Sequence, residues 1–126
     1  MIYGIYAFKA DLEALSYPNL LTQKGSDHVD YLIIPSFVIP IGRFEGKVID
    51  LAIPVPTDYP RTVGASIHVK SNPHILDKSD SQPKIRNIID SSLGEEWRYW
   101  SFRFIPQNEK TAENLMHQIN GVFKNI

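Results

Sequence analysis

The sequence contains no cysteine among its 126 residues. Disulfide bonds, thiolate metal sites and a cysteine nucleophile are therefore excluded for this chain. Long hydrophobic runs are also missing, and the apolar stretch at residues 31–35 is far too short to span a bilayer. The first residues lack a basic region and a small-residue cleavage site, so we predict no signal peptide and a cytoplasmic location.

Neither sign of charge dominates, because 13 Lys and Arg face 14 Asp and Glu for a formal net charge of -1. The basic residues are scattered, which argues against a nucleic-acid surface. The seven glycines form no phosphate-binding loop, and the four histidines lack metal-site spacing. We therefore expect no nucleic acid, membrane, metal or other cofactor.

The composition that is present, 43% hydrophobic and 21% charged, is typical of a folded globular protein. A length of 126 residues suits one core, so we predict a single domain over residues 1–126. Helical spacing of Phe8, Leu12 and Leu15 predicts a short first helix. Residues 19–27 are expected to form a turn, and a strand over 29–35 continues irregularly to residue 41.

Residues 46–60, GKVIDLAIPVPTDYP, have the period-two pattern of a buried strand. Proline cannot donate to a sheet ladder, so we expect the chain to leave the sheet after Ile53. The Tyr59 ring is expected to pack on the core with its hydroxyl near the polar surface. Residues 65–69 then form a third strand, with His68 on its polar face.

Residues 71–94 show no sustained period and form a long loop, in which Ile85, Ile88 and Ile89 allow a helical turn. A short strand is expected over residues 97–105. The last helix has Asn108 as predicted N-cap, with Glu109 favoured by the helix dipole. Its apolar stripe comprises Ala112, Leu115, Met116, Ile119, Val122 and Phe123. The predicted class is α+β, with an antiparallel meander of three or four strands between two helices.

The ordered motifs LAIPVPTDYP (51–60), ASIHV (65–69), NPH (72–74) and EEWRYWS (95–101) resemble the ubiquitin-conjugating enzyme superfamily. The hairpin IPIGRFEG (39–46) and the Trp-x-x-Trp-Ser block are most similar to the divergent prokaryotic family E. The resemblance covers roughly residues 11–126, and its structural motif residues are Pro56, Tyr59, Pro60, Trp97 and Trp100. The chain departs from the pattern by having Val63-Gly64 in place of the usual proline pair and by lacking the catalytic cysteine.

The resemblance implies a ubiquitin-conjugating-enzyme-like fold and, as partners, an activating enzyme and a ubiquitin-like protein of a bacterial modification system. Thioester transfer needs a thiolate, which this chain cannot supply. Three explanations stay open: a non-catalytic relative or pseudoenzyme, a hydroxyl that carries an oxyester, or a native cysteine replaced in this chain. An RWD-type protein interaction module without a transfer role is the alternative from another class.

For a hydroxyl role the resemblance indicates the loop that would hold the cysteine. Ser79 and Ser81 are the candidate nucleophiles there, and a serine needs a nearby base. His74 with Asp77 could supply the base, and Asn72 resembles the asparagine that stabilises the oxyanion. The competing interpretation is an ordinary polar loop, in which the serines, the histidine and Asn-Pro serve turn geometry.

Overall fold

A computed structural model describes residues 3–64, 66–80, 82, 85–102, 104–105 and 110–126. Its helices and strands, in chain order, are α1 (Ile5–Ala14), β1 (Leu21–Lys24), β2 (Asp30–Val38), β3 (Val48–Val55), β4 (Ser66–Lys70), β5 (Asn87–Ser91), β6 (Gly94–Ser101) and α2 (Thr111–Lys124). Within these described ranges, neither helix has the length and apolar character that crossing a membrane requires.

The strands form one antiparallel sheet in the order β1-β2-β3-β4-β6-β5. Both helices pack on the same side of it, which we call the helix face. The core of this face combines residues of α1 and α2 with buried strand residues that include Leu32, Leu51, Ile67 and Trp100. The predicted α+β class, with a helix at each end of an antiparallel sheet, is confirmed.

The predicted number of three or four strands is wrong, because the described chain has six. Strand β1 falls in the segment expected to be a turn; all four of its residues are exposed, so it has no apolar alternation. Strand β5 lies inside the predicted long loop. Ile88 is buried on the helix face while Ile89 is 50% exposed, so these neighbours follow strand period rather than the predicted helical turn.

Strand β3 does not end at Ile53 as predicted, since Pro54 pairs with Tyr31 and Val55 pairs with Asp30. The described pairing of β3 with β4 covers only Asp50–Ala52. At Pro54 the strand therefore has a described neighbour on one side, and proline is tolerated in a strand that has an open side. In β2 the register shifts between Ile34 and Phe37, around Pro35, which accounts for its irregular pattern.

The two helices form where the apolar spacing indicates, although their ends differ in detail. Helix α1 begins at Ile5 and ends at Ala14, so Leu15 lies beyond its end and is exposed. The six predicted stripe residues of α2 are all buried. Helix α2 begins at Thr111, and the predicted cap Asn108 and its neighbour Glu109 lie outside the described residues.

Tyr59 joins the proline-rich connection to α1. Its ring is buried and meets the Phe8 ring edge-on at a centroid distance of 4.9 Å, and its hydroxyl donates a hydrogen bond of 2.7 Å to Asp11 Oδ2. Burial, and then the hydrogen bond to Asp11, raise the pKa of Tyr59. The connection after β3 is therefore fixed to the first helix through one side chain.

The center of the opposite face of the sheet is also buried, and the ends of the two edge hairpins meet beside it. The Ser26 N–H, in the β1–β2 connection, donates a hydrogen bond of 3.1 Å to the Ser92 carbonyl in the β5–β6 turn. We call this side the closed face; its buried residues are Tyr31, Ile33, Ala52, His68 and Trp97. His68 does lie on the strand face opposite the apolar residues Ile67 and Val69, as predicted. That part of the face is covered, however, and the His68 side chain is only 2% exposed.

Candidate functional site

The segment after β4 contains all five candidate site residues named from the sequence, of which the structure describes four, and several contacts fix it to the sheet. Leu76 is buried in the helix-face core. The Ile75 N–H donates to Ser71 Oγ at 3.1 Å, and the Asp77 N–H donates to Asp80 Oδ2 at 2.7 Å. The segment lacks regular structure but is anchored rather than unattached to the rest of the fold.

A charged contact ties the same segment to β6. The Arg98 Nε–H donates to Asp77 Oδ1 at 2.6 Å, and the Arg98 side chain is only 14% exposed against 43% for Asp77. Arg98 also donates to the carbonyls of Glu95 and Trp97, both at 3.0 Å. The hydrogen bond from Arg98, followed by that from the Lys78 N–H, holds the pKa of Asp77 below its usual value.

A second ion pair lies beside the first, with Lys78 Nζ at 3.0 Å from Asp90 Oδ1 on β5. Asp90 and Arg98 are directly opposite each other in the β5–β6 pairing. Each ion pair therefore joins one residue of the segment, Asp77 or Lys78, to one residue of the sheet. Because Lys78 and Asp90 are largely exposed, we assign little stability to their pair and treat the partly buried Asp77–Arg98 contact as the main tether.

An open cleft of about 600 Å³ lies against this segment. Its lining residues are Lys70, Ser71, Asn72, Pro73, His74, Asp77, Glu95 and Glu96. The structure thus brings together three candidates from the sequence, Asn72, His74 and Asp77. His74 Nδ1 is buried without a hydrogen-bond partner among the described residues, so it is not engaged by the loop itself.

The candidate serines are less well supported by geometry. Ser79 is exposed, and within the described part of the chain no hydrogen bond joins it to His74 or Asp77. Ser81 lies outside the described residues. The assignment of Asn72, His74, Asp77 and either serine to one reaction therefore stays a prediction.

A different serine has a histidine partner on the closed face. Ser91 Oγ lies 2.6 Å from His68 Nδ1 and accepts a 3.0 Å hydrogen bond from the Leu93 N–H. The His68 ring is held between Tyr31 and Tyr99, with centroid distances of 4.7 and 5.2 Å. Among the described residues, this is the one hydrogen bond between a serine and a histidine.

Tyr31 carries a second polar connection across the closed face. Its hydroxyl donates a 2.7 Å hydrogen bond to Asp27 Oδ2 and lies 2.9 Å from Ser92 Oγ. Burial lowers the pKa of His68 to about 4 and raises that of Tyr31 to about 12. Burial opposes ionisation of Asp27, but hydrogen bonds led by that from Tyr31 outweigh it and lower its pKa.

Sequence reasoning missed the Ser91–His68 contact for a physical reason. His68 and Ser91 are 23 positions apart, and Ser91 was assigned to a loop rather than to a strand. Only the order of the strands shows that β4 and β5 flank β6. The signal in the sequence was the strand pattern of residues 87–91, which Asn87, Asp90 and Ser91 obscure.

No metal centre accompanies these clusters in the described ranges, where no three His, Asp or Glu side chains are grouped to hold an ion. The structural motif residues take scaffold positions instead. Trp97 is buried on the closed face and Trp100 on the helix face. Pro56 accepts a hydrogen bond from the Tyr59 N–H, and Tyr59-Pro60 is a cis peptide bond.

Comparison with known protein families identifies a match. The family model described as prokaryotic E2 family E matches residues 9–125, which is nearly the whole chain. Neither the curated proteins nor the solved structures gave a match. The match extends from within α1 to the end of α2 and includes both faces of the sheet. The chain therefore belongs to prokaryotic E2 family E.

Proposed function

We propose that this protein works in the cytoplasm, in a bacterial ubiquitin-like modification system, by holding the activating enzyme, the ubiquitin-like modifier or both. One observation carries the proposal: the family match over residues 9–125 occurs in a chain without a cysteine. A thioester requires a thiolate, so the chain contributes binding, and any covalent transfer by it uses a hydroxyl.

The anchored cleft supports a holding role. The Asp77–Arg98 contact and the buried Leu76 fix the loop that forms one wall, while Glu95 and Glu96 on β6 line the cleft as well. A surface that is already ordered loses less conformational entropy when a partner binds. The cleft can therefore act as a recognition surface even without a reacting residue in it.

The finer proposal is transfer through an oxyester on Ser79 or Ser81, with His74 and Asp77 as base and Asn72 as oxyanion partner. What supports it is that His74, Asp77 and Asn72 line one cleft. The exposed position of Ser79, without a hydrogen bond to His74, favours holding over transfer. The same observation favours the second candidate function, an RWD-type interaction module that takes no part in modification.

Binding is tested by mixing the purified chain with the activating enzyme and the ubiquitin-like protein of the same bacterium, with ATP. Calorimetry and size-exclusion chromatography measure the complex. We expect a complex with at least one of the two partners and none with an unrelated ubiquitin-like protein. Failure to bind either partner would contradict the proposal and leave the interaction-module candidate.

The same mixture tests hydroxyl transfer. An oxyester adduct survives thiol reductant and is cleaved by hydroxylamine, whereas a thioester is cleaved by both. Ser79→Ala or Ser81→Ala should abolish such an adduct if that serine carries it. Ser26→Ala is the matched control, because Ser26 is exposed and lies outside the loop. A complex without an adduct indicates the holding role alone.

A further inference from the structure

We infer that Ser91, paired with His68, is a nucleophilic hydroxyl that accepts an acyl group from an activated ester or thioester. The inference rests on the proposed function for the identity of the natural acyl donor, but not for the reactivity of Ser91. Neither residue was among the sequence-based candidates for the site. The basis is the geometry of the β5–β6 hairpin.

The hydrogen-bond geometry is that of a serine with a general base. Ser91 Oγ lies 2.6 Å from His68 Nδ1, within the range for proton transfer between a nucleophile and its base. The Leu93 N–H donates to the same oxygen at 3.0 Å. In the tautomer that carries its hydrogen on Nε2, Nδ1 accepts the serine proton.

The surroundings of His68 keep the ring in the form that a base requires. The side chain is buried between the rings of Tyr31 and Tyr99, and burial lowers its pKa to about 4. The imidazole is therefore uncharged at neutral pH. A ring nitrogen that is a hydrogen-bond acceptor can take up the hydroxyl proton as the new bond forms, while the burial that keeps the ring uncharged also makes it a weaker base.

Local backbone structure places Ser91 at this position. The register of the β5–β6 pairing shifts between Asp90 and Ser91, and Ser91 pairs with Gly94 across the tight turn. Irregularities of this kind re-aim a side chain and are common next to functional sites. Without the shift, Ser91 would continue the ladder opposite Trp97 rather than close the turn.

Ser91 is not sealed inside the protein. It is partly buried and lines an open groove of about 610 Å³. The other lining residues are Lys78, Asp90, Gly94, Glu95 and Arg98. A groove of this size admits a small acyl ester or the extended end of a peptide. Glu95 also lines the cleft beside Asn72 and His74, so the groove and the cleft adjoin.

The reaction balances without a metal or a redox partner. The Ser91 oxygen forms a bond to the acyl carbon, the bond from that carbon to the leaving sulfur or oxygen breaks, and the serine proton moves to His68 Nδ1. His68 then gives the proton to the leaving thiolate or alkoxide. The products are an oxyester on Ser91 and a free thiol or alcohol.

The test uses p-nitrophenyl acetate, which needs neither activating enzyme nor modifier. Peptide mass spectrometry of the full chain maps acetyl groups that hydroxylamine removes, and we expect them on Ser91. Ser91→Ala should abolish the modification, and His68→Gln should slow it by about 100-fold, the lower range for a general base. Ser92→Ala is the matched control, because its hydroxyl contacts Tyr31 instead of His68.

Mapping the acetylated residues in the wild-type chain keeps the test valid even if the Ser91→Ala variant fails to fold. The inference would be overturned if Ser91 of the wild-type chain carried no acetyl group. It would also be overturned if Ser91 were acetylated as fast in the folded His68→Gln variant as in the wild type. Binding of the activating enzyme is measured separately in wild type and Ser91→Ala. Retained binding with an unreactive Ser91 leaves the proposed function standing, whereas a reactive Ser91 without any binding removes only the proposed function.

Discussion

Both faces of the sheet have a buried center, but the two centers are covered in different ways. On β3, Leu51 faces the helix face and Ala52 faces the closed face, and both are fully buried. Helices α1 and α2 cover the first with aliphatic and aromatic side chains. The second is closed where the sheet's own edge hairpins meet, and it holds polar groups that pair with one another. Burial of a polar strand position therefore follows from topology as well as from local pattern.

The largest effect is expected from the helix face. Leu51→Ala removes a fully buried side chain from the center of a six-stranded sheet, so we expect the free energy of unfolding to fall by about 2–5 kcal/mol. Urea unfolding followed by circular dichroism measures the change. Val48→Ala on the same strand is the control, because Val48 is 59% exposed, and its cost should stay within about 0.5 kcal/mol. Equal costs for the two variants would contradict the assigned burial.

The closed face should respond to pH through His68. The pKa of His68 falls from 6.5 in the unfolded chain to about 4 in the fold, so the unfolded state binds more protons between these values. Stability is therefore fully present above pH 6.5 and is lost as pH falls toward 4. Each unit of the shift corresponds to about 1.4 kcal/mol. The measurement is urea unfolding at a series of pH values.

The control for this pH dependence is His68→Gln, which should flatten the stability profile between pH 6.5 and 4. The titratable groups that face His68 are Tyr31, Tyr99 and Asp27. Asp27 and Asp77 have pKa values below 3.8, so their protonation affects stability in a lower pH range. A wild-type profile that is level down to pH 4 would show that His68 is not buried as described.

The comparison of faces also explains how much the sequence revealed. The buried residues of the helix face could be predicted from local patterns. The apolar stripe of α2 and the alternating Leu51 and Ile53 of β3 indicate which side chains are buried. The closed face depends on which strands are neighbours. Its edge strand β1 is exposed at every residue, and β5 has polar residues at three of five positions, so neither has the apolar pattern that predicts a strand.

The candidate site divides in the same way. Asn72, His74 and Asp77 are close in sequence, and the structure places them along one cleft. Arg98, which tethers Asp77, comes from a strand 21 residues later, and Ser91 meets His68 across 23 residues. Contacts of this range depend on sheet order, which no single-sequence period contains. The sequence therefore indicated the loop but not its tether or the second hydroxyl.

The smallest effect concerns the contact between the edge hairpins, and Gly25→Ala tests it. A Cβ atom at Gly25 would lie 2.7 Å from the Tyr31 ring, 2.9 Å from Ser92 Oγ and 2.5 Å from Asp27 Oδ1, so these side chains or the hairpin ends must shift. Overpacking of this kind costs about 1–3 kcal/mol. Urea unfolding measures that cost, and amide exchange at Ser26, whose N–H donates to Ser92, reports the separation directly.

Gly121→Ala is the matched control for the hairpin contact. Gly121 lies in helix α2, and a Cβ atom added there would have no neighbouring atom within 4 Å among the described residues. Alanine has the higher helix propensity, so this variant should gain about 0.5–1 kcal/mol while Gly25→Ala loses stability. Opposite signs for the same chemical change would show that Gly25, unlike Gly121, is packed tightly against its neighbours, which include Ser92 of the other hairpin. If Gly25→Ala were neutral and Ser26 exchange unchanged, the close packing of Gly25 against Tyr31 and Ser92 would be contradicted.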